Sequence, residues 1–474
     1  MSADLMRDTD TARPMHTSSQ KDLEMQLDIP KKWGATIIVA LFTFISPVTS
    51  TIIAPPSHAV AAQFGVTDNV VIALFTSIFV LAYGPMSELY GSNLWFIIWN
   101  VACSLAQNAS QLLIFRFLAG LGGSASPAIG GSVIGDMWAP EERGRPMALY
   151  SLMPLLGPVI GPTCGAWIAQ LSTWRWVFWA TTIAMAVVQI CSLFLLRESY
   201  APFLLDQKAM RVQQSLSSDL KKEIIEVRSK LTAEKRTQVI LRRVLLTALT
   251  RPFHLLFAEP IVQLLGLYMA FVYGTLYLFL VSMTLMFERT YRESVGIAGL
   301  NYLALGLGVT VASYLSAHVM DRVFRYCKER NGGIAEPEFR LLGMVPGTLL
   351  LPIGLFLTGW SAQYSVHWIV PSIGIALVGA GTLLNFQSIT IYIIDTFTLY
   401  AASAMSVVSF LRSIAGFCFP LFAPAMYDKL GYGKGDTVLA VVAIAAGCPA
   451  PWLLWKHGKA IRMASKYARR EAGN

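Results

Sequence analysis

The chain has 474 residues, 55% of them hydrophobic and only 14% charged, whereas a soluble domain carries roughly 25% charged residues. The apolar residues lie in long runs, which excludes a soluble globular protein and points to a polytopic membrane protein. The net charge of +9 is a matter of loop composition and implies no nucleic-acid partner.

Residues 1–32 are polar and mixed in charge and read as a disordered N-terminal tail. Lys31, Lys32 and Trp33 suit an interfacial anchor for the first span. Twelve spans are predicted, at 33–54, 70–89, 94–110, 112–137, 146–170, 174–196, 257–287, 295–319, 341–361, 366–394, 401–426 and 436–456. The turn from the second span to the third is short, so those two are antiparallel neighbours. Asn108-Ala109-Ser110 fits the N-glycosylation pattern at the end of the third span.

The fourth and fifth spans carry the strongest pattern. Arg116 sits inside an apolar run and is followed by small residues every fourth position: Ala119, Gly123, Pro127, Gly131 and Gly135. A second row runs beside it through Gly120, Ser124, Ala128 and Ser132. In the fifth span Gly157, Gly161 and Gly165 form one row, and Pro154, Pro158 and Pro162 another. Fourth-position spacing places residues on one helix face, and small faces let lipid-embedded backbones approach closely. Each internal proline removes a donor and bends its helix. A buried arginine costs at least a few kcal/mol at the bilayer centre, so Arg116 is expected to face the bundle interior. It does not lose its proton in practice, and three kinds of partner can answer it: a carboxylate, an anionic substrate or backbone carbonyls.

The sixth span opens with Trp174-Arg175-Trp176, read as an aromatic belt. Residues 197–256 form a long hydrophilic interruption. Leu216, Leu220, Ile224, Val227 and Leu231 recur there at helical spacing among lysines and arginines, which predicts an amphipathic basic helix on the membrane surface or a solvated linker helix. The second half repeats the first, with Glu88 and Asp321 at matching places. Residues 33–196 and 257–456 are therefore two six-helix halves, followed by a basic tail at 457–474. An all-α, pseudo-twofold bundle puts a substrate site between the halves near the midplane.

Thirty of the 37 lysines and arginines fall on the side of the two termini and the central loop. Arg175, Arg289, Arg292, Lys429 and Lys434 lie on the other, and Arg116 and Arg412 lie inside spans. This bias predicts that both termini are cytoplasmic. The six cysteines show no CxxC pair and the six histidines no ligand spacing, so no metal site and no enzymatic centre is expected.

Four motifs together resemble the major facilitator superfamily, and within it the fungal twelve-span drug:proton antiporters. Leu156-Gly157-Pro158-Val159-Ile160-Gly161-Pro162 is similar to the antiporter signature of the fifth span. Arg116-Phe117-Leu118-Ala119-Gly120 is similar to the signature whose arginine is implicated in proton coupling. Gly84 to Gly91 resembles the loop signature between the second and third spans, with Glu88 in place of its aspartate and Leu89, Ser92 and Asn93 in place of basic residues. Arg197 to Leu205 resembles a Pro-Glu-Thr-Tyr-Ala-Pro run of the branch. The loop after the eighth span keeps more of the basic pattern, with Asp321, Arg322 and Arg325. Gly165-Ala166 stands where a Gly-Gly pair is common, and the acid often found in the first span is absent.

The resemblance implies a monomeric secondary transporter in the cell membrane, exporting small amphipathic compounds such as drugs or a fungal secondary metabolite. A transmembrane proton gradient would supply the energy, with no cofactor. A facilitator or importer of a small solute, or a non-transporting receptor, are the alternatives. Glu88, with Gly84 and Gly91, is expected to latch the inner side by meeting the N-terminus of the eleventh helix near Ala401. Arg116 is the expected proton-coupling residue, with Asp136, Glu259 and Asp395 as candidate protonatable partners. Tyr268, Tyr273, Tyr277, Asn385 and Gln387 are the candidate cavity residues.

Overall fold

The structure is a computed structural model that describes residues 29–82, 92–124, 130, 133–134, 137–138, 144–195, 254–333, 336–397 and 400–465. The expectations at Gly84, Glu88, Gly91 and Asp136, the amphipathic helix of the central loop, most of the N-terminal tail and half of the C-terminal one lie outside the described residues.

Helix α1 (Ile29–Thr51) begins earlier than predicted, because Pro30 in a first helical turn lacks only an N–H that would be unpaired anyway. Pro55 and Pro56 follow its end. A short helix that the sequence did not suggest, α2 (Ser57–Phe64), closes on Gly65 at φ 68°, whose N–H caps the last turn. Asp68 then accepts from Val70 N at 2.8 Å and starts α3 (Asn69–Leu81). Helices α4 (Ser92–Ser104) and α5 (Ala109–Gly123) follow. Asn108 is the N-cap of α5, its Oδ1 accepting from Gln111 N at 2.9 Å, so this exposed side chain has a structural task. Helices α6 (Gly144–Leu171) and α7 (Arg175–Leu195) complete the first half.

The second half comprises α8 (Pro260–Tyr291), α9 (Val295–Leu300), α10 (Tyr302–Arg330), a 3-10 turn at Pro337–Gly343, α11 (Met344–Gln363), α12 (Ile369–Thr396), α13 (Ala401–Gly447) and α14 (Pro449–Ala464). The predicted eighth span is divided at Asn301 and runs eleven residues past its predicted end, through a basic stretch that stays helical outside the apolar run. Within α13, Gly431 takes φ 73° and ψ 171°, and the chain folds back there along α11. Gly431 lies against Gln363 at one end of α11, and Cys448 lies near Thr348 at the other.

Eight described helices are long and apolar enough to cross a bilayer, and the last of them counts twice because of the reversal at Gly431. Three shorter apolar helices, α3, α4 and α5, account for the remaining spans. The aromatic stretch at the start of α7 divides by environment. Trp176 is 53% exposed, whereas Trp174 is buried, packs edge-on against Phe64 and Phe178, and donates to Gln63.

Among the described residues the halves meet toward one end of the bundle, marked by His58 and by the turns at 172–174, 292–294 and 364–368. The opposite end is marked by Glu259. Val80 and Val159 of the first half enter the apolar core of the second. Val159 faces Gly306, Ala166 faces Gly299, and Gln170 Oε1 accepts from Gly296 N at 2.7 Å. Thr163 Oγ1 donates to Gly299 O at 3.1 Å across the same seam.

At the Glu259 end the 3-10 turn is pinned by ion pairs. Arg462 of α14 reaches the buried Glu338 with two bonds, of 3.0 and 3.3 Å. Lys459 meets Glu336 at 2.6 Å, and Arg340 meets Asp395 at 3.4 Å.

Candidate functional site

Arg116 is fully buried on α5. It lies where α1 ends, and a helix end leaves carbonyls without helical N–H partners. Ala54 N turns back to Thr51 O, which leaves Ser50 O for another donor. Arg116 Nη1 donates to Thr49 O and Nη2 to Ser50 O, both at 2.9 Å. Its Nε donates to Phe75 O at 2.9 Å and Nη2 to Thr76 O at 3.5 Å, in the middle of α3. The guanidinium also lies over Phe79 at 4.9 Å and near Phe178 at 5.8 Å. Of the three answers open to this charge, the backbone one is present among the described residues. A cation at a helix C-terminus also complements the helix dipole.

A polar thread continues from that point into the other half. Ser50 Oγ donates to Pro47 O at 2.8 Å and meets Tyr277 OH at 3.0 Å, a bond between α1 and α8. Tyr273 OH donates to Tyr277 OH at 3.5 Å, with the two rings 4.9 Å apart. Arg412 of α13 lies over the Tyr273 ring at 4.7 Å and near Phe386 of α12 at 5.4 Å. Its Nε is buried with no acceptor. Sequence reasoning counted Arg412 as one of two intramembrane arginines and gave it no role, although the argument applied to Arg116 covers it equally.

Of the candidate cavity residues, the structure brings Tyr273 and Tyr277 together. Tyr268 is buried against Gly447. Asn385 is fully buried between α11 and α12, beside Gly347, and donates to Gly381 O of its own helix at 2.9 Å. Gln387 follows Phe386 and holds a buried Oε1 without a partner.

Two of the candidate acids, Glu259 and Asp395, stand at the other end of the bundle from Arg116, and Asp136 lies outside the described residues. Glu259 is buried at the start of α8, where Oε1 accepts from Ser465 Oγ at 2.8 Å and Oε2 has no partner. Asp395 is paired with Arg340 at the same end. Arg322 and Arg325 are exposed near the end of α10, and Asp321 shares that turn. Two buried acids went unremarked in the sequence: Glu338, in its ion pair with Arg462, and Asp436. Asp436, 1% exposed, accepts from Tyr427 OH at 2.7 Å near the reversal at Gly431. It follows Gly-Tyr-Gly-Lys-Gly, a run that reads as solvent-side loop.

The glycine row of α6 faces α1. A Cβ at Gly157 would lie 2.7 Å from Pro47 Cβ, and one at Gly161 would lie 2.7 Å from Val48 O. At Gly165 it would collide with Ile52 O. The row is thus the surface on which two proline-containing helices approach closely. On α5, Gly120 packs on Phe79 and Ala82 of α3, and Gly123 O accepts from Ser46 Oγ at 2.7 Å.

This arrangement has a family. The profile described as Major Facilitator Superfamily matches residues 34–420. The chain belongs to the major facilitator superfamily. It is 42% identical over 464 residues to efflux pump vrtL of Penicillium aethiopicum, covering 94% of this chain and 90% of that one. It is 38% identical over 453 residues to efflux pump radE of Floropilus chiversii, covering 92% and 82%. The crystal structure of a D-xylose-proton symporter shares the fold, with a TM-score of 0.64 at 16% identity, over 90% of this chain and 96% of that one. As a superfamily member the chain is a secondary transporter and not an enzyme. In major-facilitator terms, α1, α3 to α7 form the N-terminal half and α8 to α14 the C-terminal half, and Arg116, Ser50, Tyr277, Tyr273 and Arg412 run from one to the other.

Proposed function

We propose that the chain is a proton-coupled exporter of small amphipathic compounds that works by alternating access. The observation that carries this reading is the likeness to proteins named efflux pumps over about nine-tenths of the chain. The geometry supports it physically. The halves join by small side chains and single hydrogen bonds near the His58 end, contacts that a rocking motion can break and remake. With both termini in the cytoplasm, as the charge bias indicates, the His58 end faces outward and this state is closed on the outside. Arg116 then fixes the outer end of α1 to α3, and the Ser50–Tyr277 bond carries that fixed point to the C-terminal half. The protein acts as a monomer in the plasma membrane, with protons and a small-molecule substrate as its partners and no bound cofactor.

The test is transport by the purified protein in proteoliposomes. With inside-out vesicles acidified within, an exporter accumulates a fluorescent amphipathic substrate and loses the accumulation when a protonophore is added. Equilibration without accumulation identifies a facilitator. Movement coupled to protons in the same direction identifies an importer.

A further inference from the structure

The two intramembrane arginines are treated differently by the fold. Arg116 is fully buried, with its donors on four carbonyls. Arg412 stands eleven residues into α13, roughly 16 Å along the helix from Ala401. A charge at that depth costs a few kcal/mol unless something answers it. Tyr273 and Phe386 meet its guanidinium, but a ring does not accept the five N–H donors in the guanidinium plane. Among the described residues it makes no hydrogen bond and no ion pair, and its Nε is buried without an acceptor.

Arg412, Tyr273 and Phe386 are all partly exposed. One turn further along α13, Gly416 packs against Val80 and Tyr273 in the seam between the halves. Arg412 therefore lies on the Glu259 side of that contact. Thr390 lies one turn on from Phe386 on the same face of α12, and its buried Oγ1 also lacks a partner.

We propose that Arg412, flanked by Tyr273 and Phe386, is an anion subsite of the substrate cavity that takes a planar organic acid in its ionised form. A carboxylate, or an enolate of similar shape, is the group that a guanidinium fork binds with two parallel bonds. The two rings suit the flat apolar body attached to it. Tyr273 belongs both to this clamp and to the thread that ends at Ser50, so an occupant at Arg412 acts on the bond that holds the halves together. The inference deepens the exporter reading and rests on it only for the direction of movement.

The experiment measures binding and transport separately. Binding of 2-naphthoate, coumarin-3-carboxylate and pyrene-1-carboxylate to the purified full-length protein is compared with binding of their neutral amides. The wild type is expected to prefer the acids by about tenfold or more, the scale of one charge-assisted contact. Arg412→Gln is expected to abolish the preference while leaving amide binding in place, and Arg412→Lys to restore part of it, since a point charge replaces the fork. Unchanged elution and helical content show that the variants are folded, and retained amide binding controls for the rest of the cavity. A wild type that binds no acid better than its amide overturns the subsite, as does a preference that survives Arg412→Gln. Gradient-driven movement in proteoliposomes is then scored with the acids, the amides and rhodamine 6G. Acid preference in binding without gradient-driven movement of any probe upholds the subsite and removes the exporter reading. Movement of the amides or rhodamine 6G without acid preference does the reverse.

Discussion

At Arg116 one side chain ties three helices, from α5 to the end of α1 and the middle of α3. Arg116→Ala leaves those carbonyls unanswered and is expected to lower stability by about 3 kcal/mol or more, with loss of gradient-driven transport. Arg116→Lys is expected to rescue little, because a lysine cannot reach carbonyls on two helices with one planar fork. Thermal unfolding in detergent, with transport in proteoliposomes, checks both; full stability and activity in Arg116→Ala would make the carbonyl bonds incidental. The sequence announced this charge and hid its partners, because a backbone carbonyl has no letter. At Asn385 likewise the acceptor of the amide nitrogen, Gly381 O, has no letter. Tyr273 and Tyr277 stand together because their fourth-position spacing puts both on one face of α8. Arg412 was equally visible, but its meaning came only when α12 and α8 were seen to place Phe386 and Tyr273 around it.

At the scale of elements, the glycine row that the sequence marked as a contact face lies against α1. Gly161→Leu is expected to abolish transport while leaving membrane insertion intact, because the side chain would strike Thr51 Oγ1 and Val48 O. Normal efflux at normal expression would show that the row is not a contact face. At the His58 end a crevice between the halves is lined by Ser57, His58, Asn69, Arg289, Tyr427, Asp428 and Tyr432, among others. Partial enclosure and then the Arg289 charge push the His58 imidazole below its ordinary value of 6.5. Arg289 is itself paired with Asp428 at 3.5 Å. The closed arrangement favours neutral His58, so its contribution is present above pH 6.5 and is lost as pH falls through the depressed value. Acidification on that side should therefore loosen the closure, and His58→Gln should flatten the response. The measurement is the labelling rate of a cysteine placed at Val281, in a cysteine-free background, between pH 7 and 5. A pH response equal to that of the parent after His58→Gln would assign the effect elsewhere.

For the whole molecule, tags at residues 5, 215 and 470 are all expected on the cytoplasmic side, because thirty of the lysines and arginines lie there. Protection of the tag at residue 215 from protease in intact right-side-out vesicles should match that of the two terminal tags. Digestion of that tag alone would overturn the arrangement. The architecture was legible because long apolar runs and basic loops determine how a chain crosses a bilayer. The short connecting pieces were not. Helix α2 and the 3-10 turn at Pro337–Gly343 depend on packing, through Trp174 and through Glu338 with Arg462, between segments far apart in sequence. The reversal at Gly431 needs a positive φ, and Gly431, Gly433 and Gly435 offered several places for it.

Helix α6 is held by two faces with different inheritance. Against α1, the neighbour of Gly165 is the backbone oxygen of Ile52, which every residue type would present. Against α9, the neighbour of Gly299 is the methyl group of Ala166, which mutation can remove. A methyl group can thus change sides across the seam between halves over generations, while Gly165 can accept no compensating partner. Paired substitution reads this directly. Gly299→Ala alone should lose transport, Gly299→Ala with Ala166→Gly should recover it, and no change at position 52 should recover Gly165→Ala.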